Sequence, residues 1–144
     1  MVLGLILSAC NDESGAGGND KSPNQQALDD NRNLWQVHGL ATYQFTVRRL
    51  CFCPIREDIV VMVLNHTVDA AFYTPSGVIL NDIELEQLHT IDGYFDVIQD
   101  AIDRNVDELT VQYDGVLNYP TQIAIDVHRA VADDEVTYHL MDLQ

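Results

Sequence analysis

The stretch Thr90-Ile91-Asp92-Gly93-Tyr94-Phe95-Asp96-Val97-Ile98-Gln99-Asp100-Ala101-Ile102-Asp103 decides the fold class. Ile91, Tyr94, Phe95, Ile98, Ala101 and Ile102 recur at intervals of three and four, which places them in one stripe of an amphipathic helix. Thr90 is a good N-cap, because its hydroxyl can accept from an otherwise unpaired first-turn N–H. Asp92 suits the positive end of the helix dipole. Asp96, Asp100 and Asp103 fall on the opposite, solvated face and repel one another there.

On either side of this helix the period changes from helical to two. Tyr43, Phe45 and Val47 alternate with Gln44, Thr46 and Arg48, as in a strand with one buried face. Ile59 to Leu64 is an apolar run of strand length. Asn65-His66 then reads as a tight turn into a returning strand over Val68 to Tyr73, which Thr74-Pro75-Ser76-Gly77 ends. Residues 78–89 read as an irregular crossover. Beyond the helix, Leu109, Val111 and Tyr113 alternate. So do Ile123, Ile125 and Val127, then Val136, Tyr138 and Leu140. A short helix over 30–38 opens the domain, with Asp29, Asp30 or Asn31 as its cap and Gly39 as its stop. The expected class is therefore α+β, with two helices packed on a mainly antiparallel sheet in the order α-β-β-β-α-β-β-β. Each half has a helix bearing an aromatic, a strand, an X-Pro break (Cys53-Pro54, Tyr119-Pro120) and a hairpin, the pattern of an internal duplication.

The chain has 144 residues, the size of one domain, and seven Lys and Arg against 23 Asp and Glu leave a formal charge of −16. That charge argues against nucleic-acid partners, whose phosphates require clustered cations. It also predicts stability that rises with salt, as screening relieves self-repulsion. Residues 1–10 form a short apolar run ending in Leu7-Ser8-Ala9-Cys10, which looks like a bacterial lipobox. On this reading the signal is cut before Cys10 and the thiol carries the lipid anchor, since two or more acyl chains hold a protein durably on a membrane. Residues 11–27, poor in apolar side chains, read as a flexible tether reaching roughly 20–25 Å. Residues 28–144 are the single folded domain. The expected location is the bacterial envelope, on the periplasmic side of the outer membrane in a Gram-negative host.

The segments Leu34-Trp35, Gly39 and Tyr43-Gln44-Phe45 introduce a wider pattern. It continues with Cys51-Phe52-Cys53-Pro54, with Thr90-Ile91, Phe95 and Ile98, and with Tyr113-Asp114, Tyr119-Pro120-Thr121, Ile125-Asp126, Asp133-Asp134-Glu135 and Tyr138. This pattern resembles a family of bacterial lipoproteins and exported domains of unknown function. The family usually carries Gly-Tyr-Pro where this chain has Asn118-Tyr119-Pro120, and often Asn-Gly where it has Asn65-His66. The resemblance implies location and fold, and no activity.

Chemistry-bearing residues are sparse. With Cys10 acylated, Cys51 and Cys53 form an even pair in an oxidising compartment. Residues i and i+2 of a flat strand have Cβ atoms too far apart for a disulfide, so bonding them requires a bend at Phe52. Inert buried thiols and a soft-metal or thiol-redox site are the other readings. Asp126, His128 and His139 share a face of the terminal hairpin, but their spacing matches no metal signature and a solvated sheet face is the simpler account. Asp133-Asp134-Glu135 lacks the spaced ligands of an EF-hand loop. Tyr113, Asp114 and Tyr119 flank a loop and read either as an aromatic binding rim or as turn chemistry. His38, His66 and His89 have no evident partner. No catalytic motif is present, no catalytic residue or metal site is assigned, and no cofactor is implied. The leading functional reading is a lipid-anchored, non-enzymatic binding or structural module with an envelope protein as its partner. An inhibitor-like or peptidase-propeptide-like module and a Cys-x-Cys metal or redox protein are the alternatives.

Overall fold

The computed structural model of the chain describes residues 21–52 and 57–144. The proposed signal with Cys10, the first part of the tether and Cys53 lie outside the described residues. Within them the class is α+β: three helices and one six-stranded antiparallel sheet. The elements are α1 (Pro23–His38), β1 (Tyr43–Cys51), β2 (Asp58–Leu64), β3 (Thr67–Thr74), α2 (Asp82–Leu85), α3 (Ile91–Asp103), β4 (Glu108–Tyr113), β5 (Pro120–Asp126) and β6 (Glu135–Met141). None of the described helices is long and apolar enough to cross a membrane.

The helix α1 begins earlier than its apolar pattern suggests. Its cap is Ser22, whose hydroxyl accepts from the Gln25 N–H, and Pro23 occupies the first turn, where its missing donor costs nothing. Asp29, Asp30 and Asn31 are therefore interior residues, and the last part of the expected 11–27 tether is helical. Gly39 ends the helix in the left-handed conformation at φ 62°. The Gln- and Asn-rich first turns are held by tertiary contacts rather than by an apolar stripe. The Gln25 and Gln99 amides donate to each other at 2.9 Å, and Arg32 reaches Asp96 at 2.9 Å while lying 5.5 Å from the Phe95 ring centre.

The sheet order is β3-β2-β1-β6-β5-β4, so the first and last strands pair at its centre. Tyr43, Phe45 and Val47 of β1 are buried, as are Ile59, Val61 and Val63 of β2 and Ile123 and Ile125 of β5. They meet Leu28, Trp35, Ile91, Phe95 and Ile98 from the helices in one core. The alternating residues of each strand form the opposite, helix-free face. Asn65 and His66 make the β2–β3 turn with φ 50° and 64°, both left-handed as a two-residue hairpin requires. The two edges are partly covered. The Asn24 amide donates to the Leu109 carbonyl on β4, and Ile79 bridges to Phe72 on β3.

The observed order, α-β-β-β-α-α-β-β-β, inserts α2 into the expected crossover at 78–89. Asn81 caps both Ile83 and Glu84, and the Glu84 side chain returns to the Asn81 N–H at 2.9 Å. This capping box sustains a helix of a single turn. The expected duplication has no counterpart in the topology. The halves run in the same lateral order, but the antiparallel β1–β6 junction reverses every strand direction between them. A rotation that corrects the direction would carry one half's helix to the other face, yet α1 and α3 share one core.

Candidate binding site

The helices do not roof the sheet evenly. α1 packs on α3 and β4, and α3 on β4 and β5, whereas only the single turn of α2 packs on β3. Between α2, the Gln87–His89 link and the helix-facing side of β1, β2 and β6 lies a pocket of about 80 Å³. Its wall is apolar, formed by Val47, Ile59, Leu80 and Leu88, with Tyr94 and Tyr138 at its end. Arg49, Glu57, Glu84 and His89 bring charge and a titratable ring to it.

Arg49 arrives by register. It continues the inward parity of Tyr43, Phe45 and Val47, and its backbone pairs with Tyr138 on β6. Its guanidinium lies 5.9 Å from the Tyr138 ring centre. Lys21, Arg32, Arg48, Arg104 and Arg129 each meet a carboxylate. Arg49 is the one cation among the described residues without such a partner. The two pocket carboxylates are engaged elsewhere: Glu84 accepts from the Tyr73 hydroxyl at 3.2 Å and from its own helix cap, and Glu57 accepts from Ser76 at 3.3 Å.

The pocket lies at the end of a chain of aromatic contacts. Trp35 meets Tyr43 edge-on at 5.6 Å, Tyr43 meets Phe45 at 6.1 Å, Phe45 meets Tyr94 at 6.2 Å, and Tyr94 meets Tyr138 at 5.4 Å. The His89 ring stands edge-on to Tyr94 at 5.3 Å. Burial, the largest influence, pushes the His89 imidazole below its ordinary value; Asp96 opposes this and Arg49 adds to it. Burial also raises the Tyr94 hydroxyl well above the usual phenol range, and raises Tyr73 with help from the Glu84 charge.

The residues singled out from sequence fare differently. Tyr119 is 7 % exposed and packs on Trp35, and Tyr113 stacks on Phe95 at 6.3 Å. The Asp114 carboxylate accepts from the Val116 and Leu117 N–H groups at 2.9 and 2.6 Å. These contacts place the trio in a turn at the edge of the core. Asn118 sits at φ 64°, in the left-handed region that Asn tolerates and Gly adopts freely. The terminal hairpin pairs His139 with Gln122 and Arg48, and Asp126 with Glu135, so Asp126, His128 and His139 form no cluster. Among the described residues no group of three or more His, Cys, Asp or Glu could hold a metal. Cys51 ends β1 opposite Val136, and the chain bends at Phe52. Arg49, Glu84 and His89 were not marked out by motif. The one available signal was a charge at an inward position of the β1 alternation.

A family model described as a family of unknown function, DUF6174, matches residues 27–144, and the chain belongs to that family. No curated protein and no solved structure matches the chain.

Proposed function

We propose that this DUF6174 member is a lipid-anchored envelope protein that works by binding a small ligand in the pocket beneath α2, not by catalysis. The observation that carries the binding reading is the pocket itself, an apolar hollow with a few convergent polar groups, as ligand sites have. Among the described residues its lining offers no serine, threonine or cysteine to form a covalent intermediate, which supports binding over acyl or thiol chemistry. The anchor rests on Leu7-Ser8-Ala9-Cys10, and residues 11–22 supply the spacer between membrane and domain. Cys51 and Cys53 join in a small disulfide, supported by the bend at Phe52 that such a bond requires.

The binding reading is tested by NMR, recording amide shifts of the folded domain against a library of small fragments. Shifts clustered on Leu80, Leu88, His89 and Tyr94, and lost when Leu88→Trp fills the space, are expected. A library that moves none of these resonances ends the binding reading. The anchor is tested separately in a bacterial host: Cys10→Ala should abolish fatty-acid labelling and release the protein from membranes. Recovery of the unaltered chain in the cytosol, unlabelled, would refute it. Mass measurement after alkylation without reductant reports the disulfide, and two alkylated thiols at Cys51 and Cys53 would refute that pairing.

A further inference from the structure

We infer that the pocket's ligand is a small monocarboxylate with a compact apolar body, its carboxylate on Arg49 and its body against Leu80, Leu88, Tyr94 and Tyr138. The inference rests on the binding reading above and assigns it a ligand class. Arg49 continues the inward parity of β1 but is itself exposed, so its guanidinium stands at the solvent side of the pocket. Here Arg49 has the face of Tyr138 and no carboxylate among the described residues, in a chain whose formal charge is −16. With carboxylates so abundant, a guanidinium left without one at a pocket mouth is available to an anion from outside. A planar carboxylate is the group that its forked donors fit.

The neighbouring groups narrow the class. Glu84 is held by Tyr73 and the α2 cap, and Glu57 by Ser76, and neither is paired with Arg49. Both remain at the pocket as negative charges, and their repulsion falls about twice as heavily on a dianion such as a phosphate monoester as on a single carboxylate. The volume of about 80 Å³ holds on the order of three waters, so it encloses a short branched chain or one edge of a single ring. The tyrosine and leucine walls favour an apolar one. A free acid and the C-terminal carboxylate of a peptide ending in an apolar residue share this chemistry.

Calorimetric titration of the full folded domain with phenylacetate, phenylacetamide, phenethylamine and phenyl phosphate tests the assignment. Acetyl-glycyl-leucine, as acid and as amide, distinguishes a peptide end from a free acid. Phenylacetate or the peptide acid should bind at least about tenfold more tightly than its amide, the amine or the phosphate. Arg49→Gln should remove that preference while leaving the melting temperature close to that of the parent, since Arg49 makes no ion pair. Arg49→Lys should restore only part of it, because a point charge lacks the fork. Equal binding of acid and amide, or acid binding unaffected by Arg49→Gln, overturns the ligand class while a pocket blocked by Leu88→Trp still supports the binding reading. Failure of every probe to bind counts against both.

Discussion

The two halves of the sheet are roofed by very different amounts of helix, and the contrast accounts for where the molecule is packed and where it is hollow. Over β4 and β5, α1 and α3 lie side by side, and the apolar stripe of α3 with Leu28 and Trp35 of α1 closes a dense core around Phe95, Ile98 and Ile123, each of them fully buried. Over β2 and β3 the roof is one turn of helix and a link, and the strand face below it ends in a pocket bordered by Arg49 and His89. Stability therefore concentrates in one half, and the other keeps Arg49, which meets no carboxylate among the described residues.

This contrast can be broken most directly by truncating one core residue on each side. Phe95→Ala, beneath the helix pair, should cost about 3–5 kcal/mol. Ile59→Ala, on the pocket wall and 8 % exposed, should fall near 2 kcal/mol, the low end for its type, because space already adjoins it. Equal losses in denaturant melts would show that the two halves are packed alike.

The seam between the halves is probed by Tyr43→Phe. The Tyr43 hydroxyl accepts from the Ile91 N–H at 3.0 Å, at the start of α3, and its loss should cost about 1–3 kcal/mol. Burial raises the Tyr43 hydroxyl to about 12, and Tyr113 likewise to about 12. Groups raised in the folded state stabilise fully below the unfolded value near 10 and lose that contribution as pH rises toward 12. Alkaline unfolding should set in across that window, and a protein whose melting temperature is flat from pH 9.5 to 11.5 would contradict the burial of these phenols.

A smaller effect, of opposite sign, is expected at the β2–β3 turn. His66→Gly removes a side chain from a left-handed residue and should stabilise by up to about 1 kcal/mol. On the pocket side, His89 has a folded value below its ordinary 6.5. The folded state thus takes up its proton less readily than the unfolded chain, so stability is present above 6.5 and declines as pH falls through the folded value. His89→Leu should flatten the loss of melting temperature between pH 7.5 and 5.5; an unchanged slope would place the acid sensitivity elsewhere. The smallest effect belongs to the surface: solvent screens the two-pronged Arg48–Asp58 pair, at 2.7 Å for both bonds but half exposed at Arg48, so Arg48→Met should leave the melting temperature nearly unchanged.

Most of the fold was legible because its carriers are periodic. The Tyr43-Phe45-Val47 alternation, the Asn65-His66 turn and the Thr90-capped stripe of α3 each follow from local pattern alone, and each appears in place. The start of α1 was not legible, since Gln25 and Arg32 are tied down by Gln99 and Asp96 from a distant helix, and no local period records that. The turn of α2 rests on a capping box too short to stand out. The pocket was hidden for a related reason. Its residues come from β1, β2, β3, α2, α3, β6 and the α2–α3 link, so only the register that sets Arg49 beside Tyr138 brings them together. Tyr113 and Tyr119 drew attention as aromatics near a loop, but sequence does not say which side of a ring faces water.

The pairing of β1 with β6 has a consequence for how the chain reaches its native state. The Gln44 and Gln144 backbones exchange hydrogen bonds at 3.0 Å, so the middle of the sheet is knitted from its two extremities. Nothing built from β1, β2 and β3 alone can complete their inner edge, which waits for β6 before the two halves of the sheet zip together. Pairing between strands so far apart in sequence closes long loops and makes this last step of folding the slow one.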